Sequence, residues 1–421
     1  MLYENIHLAA MVAVMLLITG TARAKDLFQL DASVNPNSTN PTTGSIHLND
    51  ITQLIDQLQT QNLNNLVNSY NQNSAAVVNL NFRGLPASAS YNQNSPALRF
   101  TVPAAGVDIT FNGTTRDDSQ KQLKDFLLRN GSGIATKILQ ALVAASPVDP
   151  VAGNPNALQN LSARSDFTIG TGIGLGGAEI PGSRGGAKGG LAGQPNLFAL
   201  GGDVGFARSG GFTSTIVNLP IRYSIPFSDP RFAVTLDTPL TYVNTQGSAS
   251  YMGSFGLSLR IPLLENWYIS PSLRFGAVGS SGLGAASVQY SGGLASRYDI
   301  FFSDLQLTIG NAVTVVKTAG LSFREVNVNY DLTNELFTNG VQLEGSLPYT
   351  IFGQPTSWQV WLADTHVTGS KVYINHYDEI GFTVGTRHSM NTQNWDSLRV
   401  GLVATVGARY TAVKAAFSYR F

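Results

Sequence analysis

The chain has 421 residues, 43 of them glycine and only 12% charged, with a mean hydropathy of +0.03. It is too neutral for a bundle of membrane helices and too poor in charge for an ordinary soluble protein. Twenty-six basic side chains balance twenty-six acidic ones, which argues against a nucleic-acid partner held by phosphate contacts. With no cysteine there is no disulfide framework, no thiolate zinc site and no thiol nucleophile.

The one long apolar run, residues 8–20, is followed by Ala22, Arg23 and Ala24, the small-x-small pattern read by signal peptidase. The run is too short to span a bilayer as a mature helix. Residues 1–24 are therefore expected to be a signal peptide cleaved after Ala24. Its first ten residues contain Glu4 and no Lys or Arg, an irregular start explained either by translation from Met11 or by a weak n-region.

Residues 25–146 read as a soluble α+β module. Residues 25–45, rich in Asn, Ser, Thr and Pro without periodicity, are expected to form a disordered arm. A helix is expected from Asp50, which with Gln53 makes a capping-box-like start before the stripe Ile51, Leu54, Ile55 and Leu58. The stripe resumes at Leu63, Leu66, Val67 and Tyr70, and the five-residue step predicts a break near Gln61 and Asn62. Three short β runs follow, 75–82, 97–102 and 107–111, then amphipathic helices over 117–129 and 132–145, with Pro147 as the stop. Residues 147–164, carrying Pro150, Gly153 and Pro155, are expected to be an extended linker.

From residue 165 to 421 the dominant period is two. Phe255, Leu257, Leu259, Ile261 and Leu263 alternate with Ser254, Gly256, Ser258 and Arg260. Ile269, Pro271, Leu273 and Phe275 alternate with Ser270, Ser272 and Arg274. Comparable patterns begin at Val217 and Leu398, and further runs start near Asn196, Arg231, Ala285, Leu305, Gly340, Thr356 and Tyr377. Together with the last strand this gives twelve segments. Segments 166–175 and 325–332 also alternate, so a parity argument allows twelve strands or fourteen; twelve is favoured. In the last stretch, Thr411, Val413, Ala415, Phe417, Tyr419 and Phe421 share one face. An aromatic-faced final strand must bury that face, and in a closed transmembrane sheet lipid does so.

On these residues the chain resembles a Gram-negative outer-membrane β-barrel, with Phe417, Tyr419 and Phe421 similar to the C-terminal assembly signal of that class. A barrel behind a soluble N-terminal segment is similar in architecture to an autotransporter-type β-domain. The resemblance implies location in the cell outer membrane, with membrane lipid, lipopolysaccharide and the barrel assembly machinery as partners.

The inward faces collect Arg222, Arg260, Arg274, Arg387, Arg399 and Lys414, with Asp237, Glu344 and Asp299 as counter-charges. They describe a basic constriction for anionic solutes, or a ladder of ion pairs that stiffens the wall; pairing is the stronger expectation. His388, Ser389 and Asn391 sit at a strand end, but adjacent residues of a strand point to opposite faces, so no hydrolase pair is expected. His366, His376, Asp364 and Asp378 flank a loop, where either metal binding or simple polarity accounts for them. Gly172, Gly174 and Gly177 match a dinucleotide fingerprint in letters only, because the glycines and proline that follow deny it a helix. No cofactor and no enzymatic activity are expected. The expected function is a pore or translocation channel with an N-terminal periplasmic or luminal plug. The alternatives are an anchor that displays the module for adhesion or contact, and an outer-membrane hydrolase.

Overall fold

A computed structural model describes residues 25–129, 133–175, 196–323, 326–386 and 397–420. The expected signal segment, Gly177, Arg387, His388, Ser389, Asn391 and Phe421 lie outside these residues.

The N-terminal module begins with strands β1 (Phe28–Val34) and β2 (Thr42–Leu48), where a disordered arm was expected. The Asn, Ser and Pro residues responsible for that expectation occupy the turn, with Asn35 at φ 50°. Phe28, Leu30, Ala32 and Val34 alternate inward and are buried. Two short helices follow, α1 (Ile51–Asp56) and α2 (Thr60–Leu66). Asp50 caps the first by accepting from the backbone N–H groups of Thr52 at 2.8 Å and Gln53 at 3.2 Å. The break falls at 57–59, slightly before the expected position.

Strands β3 (Ala76–Phe82), β4 (Leu85–Tyr91), β5 (Leu98–Val102) and β6 (Val107–Phe111) complete a six-stranded antiparallel sheet in the order β2-β1-β3-β4-β5-β6. β4 was absent from the sequence expectation because its buried face, Leu85, Ala87, Ala89 and Tyr91, is half alanine. Helices α3 (Arg116–Arg129) and α4 (Gly133–Ala145) match the expected pair closely. The buried guanidinium of Arg116 donates to Tyr70 Oη at 3.0 Å, and to the carbonyls of Asn71 at 3.1 Å, Ser74 at 2.7 Å and Asn92 at 3.0 Å. It thereby ties the α2–β3 and β4–β5 loops to the start of α3.

The linker is the largest departure. Residues 158–171, expected as linker and then as an optional strand, form α5 (Leu158–Thr171), capped by Gly172 at φ 75°. Beyond it lies a closed antiparallel barrel of twelve strands, the favoured count. The first seven are β7 (Leu197–Ser209), β8 (Phe212–Pro226), β9 (Ala233–Thr245), β10 (Ser248–Pro262), β11 (Trp267–Ser280), β12 (Ala285–Phe301) and β13 (Leu305–Ala319). A small hairpin, β14 (Leu321–Phe323) and β15 (Val326–Val328), forms its own two-stranded sheet and is not part of the wall. The wall continues through β16 (Thr333–Ile351), β17 (Gln354–Gly369), β18 (His376–Thr386), β19 (Ser397–Gly407) and β20 (Tyr410–Arg420). β16 runs through 333–339, where an interruption was expected. Polar residues there face both ways, with Asn334 and Thr338 inward and Glu335 and Asn339 outward, so the lipid pattern is lost while the ladder persists.

β20 closes the barrel on β7, from Tyr410↔Ser209 to Arg420↔Ala199. Phe255, Leu257, Leu273, Phe275, Ile380, Phe382 and Phe417 are exposed on the outer face, whereas Ser254, Ser258, Ser272, Arg274 and Thr383 are buried inside. An apolar exterior around a polar interior, with no sheet edge, is the arrangement a bilayer demands.

The module rests on one rim of this barrel. Lys25 N–H donates to the Gly211 carbonyl at 3.1 Å, Ile51 N–H to Gly282 at 3.0 Å, and Ile374 N–H to Gly153 at 2.9 Å. Gly211, Gly282 and Ile374 belong to hairpin turns at the end of the barrel opposite the start of β7 and the end of β20.

Candidate functional site in the barrel lumen

The lumen is occupied. α5 enters from the module side and runs down the bore against β10, β11, β12, β13 and β16, and twelve of its residues are buried, among them Asn160, Ser165, Asp166, Phe167 and Thr171. A helix buried on nearly every side and still rich in polar groups fits a polar bore. Its contacts are graded along the axis. Near the module rim Leu158 packs in an apolar cluster with Ala207, Ile216, Val243, Met252 and Val278. Lower down, Phe167 and Ile173 pack with Trp361 and Ala363. At Gly170 the wall comes so close that an added Cβ would lie 2.4 Å from Ala295 Cβ.

Arg274 clamps the helix at mid-bore. Its Nη2 donates to Asp166 Oδ1 of α5 at 2.7 Å and to Asp237 Oδ1 of β9 at 2.9 Å. Its Nη1 donates to Asp237 Oδ2 at 2.9 Å and Ser254 Oγ at 3.0 Å. Ser165 Oγ of the helix donates to Asp237 Oδ2 at 2.9 Å, closing the network. The planar guanidinium presents its donors as a fork, which suits bridging two carboxylates. A second tie joins Arg164 Nη2 to Glu379 Oε2 of β18 at 2.7 Å.

The remaining expected lumen residues do not converge on one site. Arg222 stands opposite Asp237 in the ladder. Arg260 donates to the carbonyls of Arg231 at 2.9 Å and Pro230 at 3.0 Å, bracing the β8–β9 loop. Arg399 donates to Ser357 Oγ at 2.8 Å and Thr383 Oγ1 at 3.2 Å. Glu344 accepts from Gln359 Nε2 at 3.0 Å, and Lys414 lies 3.5 Å from Asp203. Asp299 accepts from Arg297 Nε at 2.9 Å and from Thr308 Oγ1 at 2.7 Å. These contacts lie within the wall and the β8–β9 loop. Arg164 and Asp166, the ions carried by the helix, were not among the expected lumen residues, since that reading assigned them to a linker and a strand. Gly172, a left-handed stop after a proline-free stretch, was the available signal. Gly172 and Gly174 form the turn that follows the helix, where Gly174 N–H donates to Gln342 Oε1 of the wall at 3.1 Å.

The chain is thus an outer-membrane β-barrel protein. No known protein-family model matches it, and no curated protein is detectably similar to it. Among solved structures, the barrel is similar to the β domain of the Bordetella autotransporter BrkA, with 14% identity over 54% of this chain and 99% of that one and a TM-score of 0.41. It is also similar to the translocator domain of the autotransporter NalP from Neisseria meningitidis, at 11% identity over 55% and 89% and a TM-score of 0.38. The KdgM porin matches at 12% identity over 53% and 99%, with a TM-score of 0.32.

Proposed function

We propose that the barrel is a plugged outer-membrane anchor that displays the N-terminal module at the cell surface, without catalysis of its own. The observation that carries this reading is the position of the module on the rim opposite the barrel's two ends. An even number of strands returns the wall to the side from which it started, and an exported chain reaches the membrane from the periplasm. The rim holding the start of β7 and the end of β20 then faces the periplasm, and the module faces out. α5 is the stretch of chain that links the two sides. Because the Arg274 network holds it in the bore, the resting barrel is closed to solutes, which favours anchor over open pore. A periplasmic plug, the placement expected from chain order alone, would require the barrel to be inserted with its closing ends outward.

The absence of cysteine makes the test direct. Gln72→Cys in the exposed part of the module should react with a membrane-impermeant maleimide on intact cells. Ser228→Cys, exposed on the opposite rim, should react only after the outer membrane is permeabilised. The reverse pattern would establish the periplasmic placement.

A further inference from the structure

One cluster on the outer wall takes no part in anchoring. β17 and β18 pair so that His366 lies opposite His376 and Asp364 opposite Asp378. All four face outward, in register with the lipid-facing residues Leu362 and Ile380 one step along each strand, which are 47% and 52% exposed. The quartet therefore sits above an apolar floor, on the module side of the barrel, where the hydrocarbon-facing band gives way to the headgroup layer. Ligand atoms of Asp364, His376 and Asp378 all lie within 4.8 Å of one another. His376 Nε2 is 2.5 Å from Asp364 Oδ2, and the His366 and His376 rings are 6.1 Å apart between centroids.

We propose that Asp364, His376 and Asp378, completed by His366, bind one divalent transition-metal ion of the zinc class at the outer membrane boundary. Two carboxylates set directly opposite each other across a ladder repel. A dication between them turns that repulsion into coordination. A plain His–Asp ion pair accounts for Asp364 and His376 but gives no reason for Asp378 and His366 to occupy the adjoining cross-strand positions. Imidazole with carboxylate is a donor set that suits zinc, copper or nickel; magnesium and calcium prefer oxygen alone. Rigid strands fix the four backbones, so binding requires only small side-chain closure toward tetrahedral ligation.

The test is calorimetric titration of the full, detergent-folded and metal-stripped chain with Zn²⁺, and separately with Mg²⁺. One saturable Zn²⁺ site per chain is expected. Affinity should fall at least about tenfold, the loss that even outer-shell partners of a metal produce, in His376→Ala and in Asp378→Asn. His47→Ala in the module should leave it unchanged. Each variant is checked for heat-modifiable migration so that loss of binding is not loss of fold. The proposal is overturned by absence of a saturable site, by equal affinity in His376→Ala and the parent, or by Mg²⁺ binding as tightly as Zn²⁺.

Discussion

Arg274 is a single guanidinium shared by two carboxylates on two different elements, one in the wall and one in the plug. Replacing it leaves Asp166 and Asp237 buried together without their cation, and breaking a buried pair in this way destabilises by roughly 3–5 kcal/mol. The wall can absorb that loss through its ladder of backbone hydrogen bonds, but the helix has no such reserve. Arg274→Ser is therefore expected to convert a silent protein into one with stepwise openings in planar bilayers, and deletion of residues 158–171 should make the conductance continuous. Full conductance in the unmodified chain would refute the plug. Arg83 and Asp149 form the matching tie between module and connector, 3.2 Å apart and wholly buried. Asp149→Ala should loosen the module enough for limited proteolysis to release it. The paired change Arg83→Met with Asp149→Leu should recover much of the loss, since an apolar replacement removes both desolvated charges.

At the level of elements, the barrel was legible because a strand in a membrane wall has one partner on each face, lipid or lumen, and the period of two follows from that alone. Phe255 and Leu273 announced their side without reference to any neighbour. α5 was not legible for the same physical reason in reverse. Its surroundings are the inward faces of many strands, apolar near Met252 and Val278, ionic near Arg274 and tight near Ala295. No single stripe emerges in the sequence, and the segment 166–175 passes for alternation. β1 was concealed by the turn residues beside it, and β4 by its alanines. The closing strand was legible, and its role makes a clear prediction. Removing residues 411–421 strips β7 of its partner and leaves two unpaired edges in hydrocarbon, which a bilayer does not tolerate. That truncation should abolish the heat-modifiable band and outer-membrane fractionation. A normally inserted truncated protein would contradict the pairing of β20 with β7.

At the level of the whole molecule, the two halves meet through turns and a single buried connector, and the path of the chain matters more than the area it covers. On the display reading, everything before α5 has crossed a bore that one helix now fills. A helix with its side chains is about 10–12 Å across, whereas a six-stranded sheet, at about 4.8 Å between strands, is roughly twice as wide before its helices are added. The folded module is too broad to follow the same route. It must travel as a loose strand and acquire its shape on arrival, or else be outside before the seam between β7 and β20 shuts. A covalent staple applied too early would then jam the passage. Ser88 and Thr101 face each other across β4 and β5 with their hydroxyl oxygens 2.8 Å apart. Converting both to cysteine allows a bridge to form in the oxidising periplasm. The stapled chain should stall short of the surface, and reductant added during synthesis should let it through, so the bore would act as a gauge that admits the chain only while it is still unfinished.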